Sequence, residues 1–174
     1  MLMKRIRVAA AVAAAAGLSL NASAAVITTT FTVQLVVSKT CNVATQTNVD
    51  LGTVIAGVAP ATASGTFTVT CSKTTPYFIG LAPSNASTTG AGNMNGQAAG
   101  NTGTLIPYQL YQNSGATTIW GNTATATTVG NGEGGTGAGM AAPATFTVWA
   151  GVAAAATNVA PDTYKDTVTI NVNI

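Results

Sequence analysis

Beyond residue 24, few side chains could do chemistry. They are the carboxylates Asp50, Glu133, Asp162 and Asp166, the cysteines Cys41 and Cys71, and the amines Lys39, Lys73 and Lys165. The chain contains no histidine, so a Ser-His-Asp or Cys-His arrangement cannot be built. Asp162 and Asp166 are close in sequence, but an acid–base pair of carboxyls must flank a substrate cleft. Asp162 follows Pro161 and reads as a solvated turn, whereas Asp166 reads as the start of the last strand. Neither belongs to the spaced acidic run of a calcium loop. Cys41 and Cys71 could hold a metal only with carboxylates as further ligands. An even cysteine count in an exported protein points instead to a disulfide. Closing their separation of 30 residues is worth about 3–4 kcal/mol in the chain-entropy model. The glycines of Gly130-Asn131-Gly132-Glu133-Gly134-Gly135 lack the lysine and helix start that a phosphate cradle needs. The expectation is no enzyme: no catalytic residue, no cofactor and no metal.

Three aromatic residues, Tyr77, Phe78 and Trp120, offer a different chemistry, a stacking platform for sugars. Aromatic residues on strands are more often core. Asn85-Ala86-Ser87 fits a glycosylation sequon, a tripeptide common by chance.

The elements that position these residues begin with an export signal. Lys4, Arg5 and Arg7 precede an apolar stretch from Val8 to Leu20, followed by Ala22-Ser23-Ala24. A basic head, a short apolar region and a small-x-small cleavage site mark residues 1–24 as a secretory signal peptide, cut before Ala25. The apolar stretch is too short for a membrane span of roughly 20 residues, so no stable membrane insertion is expected. Without the signal, three lysines face four carboxylates, one charge short of neutrality. That excludes a nucleic-acid surface, which needs clustered cations to neutralise phosphates.

Period-two alternation then predicts strands. Phe31, Val33, Leu35 and Val37 share one face, and Thr66-Phe67-Thr68-Val69-Thr70-Cys71 alternates without a fault. Tyr77-Ile79-Leu81, Ile106-Tyr108-Leu110 and Phe146-Val148-Ala150 repeat the pattern, with Ile119-Trp120 a shorter candidate. Pro107 suggests an edge or a strand start. The chain closes with Tyr164, Val168, Ile170, Val172 and Ile174 on one parity. Ala150–Ala156 could form a helical turn. Ser84–Gly103 and Ala124–Ala142, low in complexity, read as mobile surface loops. Short strands between turn residues predict an all-β sandwich.

These motifs resemble the spore coat protein U domain family, which includes the subunits of archaic, Csu-type chaperone–usher pili. The resemblance rests on the alternating segment ending at Cys41, Cys41-Asn42-Val43 followed by Leu51-Gly52, and Thr66–Cys71. It rests also on Ile106-Pro107-Tyr108-Gln109-Leu110-Tyr111 and the ending Asp162–Val172. It implies an immunoglobulin-like β-sandwich that lacks its final strand and is completed by a donor strand from another subunit. A periplasmic chaperone would fill the groove first. The N-terminal strand of the next subunit would replace it at an outer-membrane usher. In this chain the donor residues would be Phe31, Val33, Leu35 and Val37, and the acceptor groove would be lined by Val168, Ile170 and Val172. The implied domains are a signal at 1–24, a donor-strand extension at 25–38 and a pilin-like sandwich at 39–174.

The expected function follows: a structural subunit, exported through the periplasm to a cell-surface pilus that supports adhesion and biofilm formation. Its expected partners are like subunits in a homopolymer, the chaperone and the usher. A single sandwich suits a shaft or adaptor subunit, because a tip adhesin would carry a second, receptor-binding domain. The alternatives are a spore- or cell-coat protein of the same fold, or a secreted sugar-binding module using Trp120.

Overall fold

A computed structural model describes residues 25–174; the expected signal peptide lies outside the described residues. Two units divide the chain, Met1–Val36 and Val37–Ile174. In the first, residues 25–36 carry no helix or strand and are exposed throughout. An alternating apolar segment forms a strand only where a partner accepts its backbone hydrogen bonds. Among the described residues no strand pairs with Phe31–Val37, and the strand expected there does not form.

The second unit is an immunoglobulin-like sandwich of nine strands and one short 3-10 helix, Ala154–Thr157. The strands are β1 Cys41–Thr47, β2 Ala63–Cys71, β3 Pro76–Pro83, β4 Ala91–Gly96, β5 Leu105–Tyr111, β6 Glu133–Thr136, β7 Ala144–Gly151, β8 Tyr164–Lys165 and β9 Val168–Asn173. The larger sheet has the order β1-β2-β7-β5-β4-β8 and the smaller the order β6-β3-β9. All pairings are antiparallel. In chain order, β1, β2, β3, β5, β7 and β9 occupy the places of strands A to F of an immunoglobulin domain. A, B, E and D share one sheet there, and C, F and G the other. Among the described residues, no strand pairs with the outer edge of β9.

Alternation drives the core as the sequence predicts. Phe67, Val69 and Cys71 of β2 are buried, as are Ile79 and Leu81 of β3 and Ile106 and Leu110 of β5. Cys41 and Cys71 sit opposite each other in the β1–β2 register and form a disulfide. Trp120 is completely buried, its ring near Phe67 and Phe146. Its indole Nε1–H donates to the Ile79 carbonyl at 3.1 Å. Tyr77 is buried as well. The pair is therefore core, and the sugar platform expected as an alternative is not on the surface.

The two low-complexity stretches differ from expectation, because each contains a strand. β4 lies within Ser84–Gly103, and β6 within Ala124–Ala142. Glycine serves β6 for a steric reason. A Cβ on Gly134 would fall 2.8 Å from the Phe78 ring, and one on Gly135 would fall 2.6 Å from the Tyr77 hydroxyl. Aromatic side chains on β3 take up the room that side chains on β6 would need.

Pro107 lies within an interior strand, and the hydrogen-bond pattern explains why this is tolerated. The Leu110 N–H points toward β4, donating to the Gly90 carbonyl. By alternation the donor-less nitrogen of Pro107 faces the β7 side, beyond the last paired residue there, Gly151 opposite Gln109. No ladder bond is lost.

Candidate strand-docking groove

The exposed edge of β9 offers a defined set of backbone groups. β3 pairs β9 with Gly80 opposite Asn171 and Leu81 opposite Ile170. The Leu81 N–H donates away from β9, to the Gly121 carbonyl. Alternation therefore turns Phe78, Gly80 and Ala82 toward β9, where they bond with Asn173, Asn171 and Thr169. The N–H and C=O groups of Val168, Ile170 and Val172 point outward. Their side chains, with that of Ile174, are half-buried against the core.

Beside this edge lies a cavity of about 1270 Å³. Val168 and Ile170 line one wall, and Val49, Leu51 and Ile55, which follow β1, line another. Leu81, Ile106 and Leu110 contribute to the lining from the core. Of the three expected acceptor residues, the structure brings Val168 and Ile170 into the cavity; Val172 lies on β9 outside its lining. The wall at 49–55 was not expected from the sequence. Its one local signal is Asp50-Leu51-Gly52, where Asp50 Oδ1 accepts the Gly52 N–H at 2.8 Å and Gly52 has φ +71°.

Charged groups gather at the same cavity. Asp50, Asp162 and Asp166 line it together with Lys165. Asp162 is more than a solvated turn: it accepts from the N–H of Ala98 at 2.9 Å, from Asn101 Nδ2 at 3.2 Å and from the N–H of Thr163 at 2.7 Å. These donors, the Ala98 N–H first, hold its carboxyl below the usual carboxylate range against some desolvation. Asp166 accepts from the Tyr108 hydroxyl at 2.6 Å and from the Thr167 N–H at 2.8 Å. Burial pushes the Tyr108 hydroxyl pKa up, and the bond to Asp166 and its charge push it further. No group of three or more carboxylates or cysteines among the described residues is arranged to hold a metal. The arrangement can bind an extended apolar chain: free backbone groups on one side, apolar walls below, acidic groups around them.

The expected donor residues Phe31, Val33, Leu35 and Val37 are between 81% and 88% exposed. They lie in residues 25–40, which carry no strand. Large apolar side chains in a row are seldom left in water without a binding role. The model of the Spore Coat Protein U domain family matches residues 27–171. The chain belongs to this family. The match takes in both the exposed apolar segment of this spore coat protein U domain chain and nearly all of its sandwich. No curated protein matches the chain. Among solved structures it is similar to the CsuC–CsuE chaperone–tip adhesion subunit pre-assembly complex from archaic chaperone–usher Csu pili of Acinetobacter baumannii. The identity is 22% and the TM-score 0.49, over 79% of this chain and 40% of that one. This chain thus spans less than half the length of the solved chain it matches. No helix among the described residues is long and apolar enough to cross a membrane.

Proposed function

We propose that this chain is a structural subunit of a surface pilus assembled by the chaperone–usher pathway through donor-strand exchange. One observation carries the reading. The same chain holds a β9 edge with outward-pointing backbone groups beside an apolar groove and an exposed row of apolar side chains, Phe31, Val33, Leu35 and Val37. In this reading residues 1–24 are the export signal, 25–38 the donor extension and 39–174 the pilin domain. The donor row of one copy enters the groove of the next beside Val168, Ile170 and Val172.

The physical terms support it. Main-chain bonds to an edge strand supply affinity, and alternate side chains filling pockets supply specificity. Burying four such side chains yields about 6–12 kcal/mol before ordering costs. An unfilled edge beside an apolar cleft is a template for aggregation, so a periplasmic chaperone would occupy it until an outer-membrane usher passes the subunit on. Head-to-tail addition of like subunits gives an open filament at the cell surface, suited to adhesion and biofilm formation.

Deleting residues 25–37 behind an intact export signal should leave chaperone-bound monomer and no filaments. Filaments of ordinary length from that deletion would overturn the proposal.

A further inference from the structure

Two rows of apolar residues must be matched if one copy docks on another, and the match has a direction. Phe31, Val33, Leu35 and Val37 are four residues at period two; so are Val168, Ile170, Val172 and Ile174. At about 3.3 Å per residue each row spans roughly 20 Å. Apolar matching alone accepts a parallel or an antiparallel donor equally well. Charge does not.

We infer that Lys39 of one copy pairs with Asp166 of the next, and that this contact sets an antiparallel donor with Val37 opposite Val168. The inference rests on the donor-strand reading above. In that register Leu35 lies opposite Ile170, Val33 opposite Val172 and Phe31 opposite Ile174. Two residues further along, Lys39 reaches the turn that holds Asp166, two residues before β9 begins at Val168. Asp166 lines the same cavity as Val168 and Ile170, so the flexible four-carbon stem of the lysine brings its ammonium to the carboxylate on the groove side.

Asp166 is prepared for such a partner. It lines the cavity and is half-buried. Its two hydrogen bonds come from neutral donors, the Tyr108 hydroxyl and the Thr167 N–H. They orient the carboxylate and leave its charge uncompensated. The cavity lining holds three carboxylates against the single cation Lys165. Lys39 is exposed and is the lysine nearest the donor row in sequence.

A parallel donor with Phe31 opposite Val168 fits less well. It would place Thr29 level with Asp166 and carry Lys39 past Ile174, away from the acidic lining.

The test uses the full chain expressed with its chaperone and usher. Lys39→Glu should lower filament yield about tenfold, because a like charge now faces Asp166. Asp166→Asn keeps an acceptor for Tyr108 and removes only the charge; in that background Lys39→Glu should cost little. Separately, Val37→Cys with Val168→Cys should give a disulfide between subunits, and Phe31→Cys with Val168→Cys should not. Full yield from Lys39→Glu, an equal penalty in both backgrounds, or linkage of Phe31→Cys instead of Val37→Cys would overturn the inference. The deletion of residues 25–37 reads the underlying proposal independently. If it abolishes filaments while Lys39→Glu leaves them untouched, donor exchange stands and this register fails.

Discussion

The Tyr108 hydroxyl donates a 2.6 Å hydrogen bond to Asp166 Oδ2 across a change of sheet. Tyr108 belongs to β5 of the larger sheet, and Asp166 lies where the chain passes from β8 in that sheet to β9 in the smaller one. The bond ties the two layers at the groove. Tyr108→Phe is expected to lower stability by about 1.5–3 kcal/mol, the range for a hydrogen bond to a charged group. A urea midpoint matching the parent chain would show the bond to be dispensable.

Trp120 closes the core, with its ring enclosed and its N–H taken up by the Ile79 carbonyl. Truncation to Ala leaves a large cavity and an unpaired carbonyl, and should cost about 3–5 kcal/mol. Trp149 is only half-buried, so its truncation should cost less. Tryptophan fluorescence separates the two, because the enclosed Trp120 should emit at the shorter wavelength.

Gly132 stands against the backbone of β3, where an added Cβ would collide with the Ile79 carbonyl oxygen. Gly132→Ala is therefore expected to destabilise by about 1–3 kcal/mol. Gly100→Ala, with open space around the new methyl, should stay within about 0.5 kcal/mol of the parent. Thermal melts of the two variants should differ clearly; equal melting points would contradict the packing.

Two carboxylates should shape acid stability in opposite senses. The Asp162 carboxyl is held below its ordinary value of 3.8. Its stabilisation is therefore complete above that value and is lost as pH falls through the lower, folded-state one. Burial raises Glu133 above its ordinary 4.5, so its charge opposes folding near neutrality and the penalty lifts as pH falls through the raised value. Asp162→Asn should flatten the acid limb of a stability–pH curve. Glu133→Gln should raise stability at neutral pH and leave it unchanged well below pH 4.5.

Much of the sandwich was legible because alternation is local. Thr66–Cys71 reads as a half-buried strand on its own, and β2 buries Phe67, Val69 and Cys71. The disulfide also followed from cysteine count and export. β4, Ala-Gly-Asn-Met-Asn-Gly, and β6, Glu-Gly-Gly-Thr, carry no apolar alternation by which a strand is read. These strands exist because β5 and β3 offer them backbone partners, and for β6 because the rings of Tyr77 and Phe78 need room. Trp120 and Tyr77 illustrate the reverse ambiguity: an aromatic residue on a strand has the same sequence signature whether it faces the core or a sugar.

For the groove, the sequence by itself determined the ingredients: two apolar rows at period two, few charges, and acidic residues close to the last strand. Period two states which residues share a face but not which face meets which partner. Only the tertiary structure decided that β9 ends its sheet, that Val168 and Ile170 line the cavity while Val172 does not, and that Asp166 turns toward Tyr108. Those outcomes depend on pairing between segments far apart in the chain, where register and sheet order are set by the whole core at once. The same reason explains the segment Phe31–Val37, whose alternation specifies a strand but cannot supply the edge that would complete one.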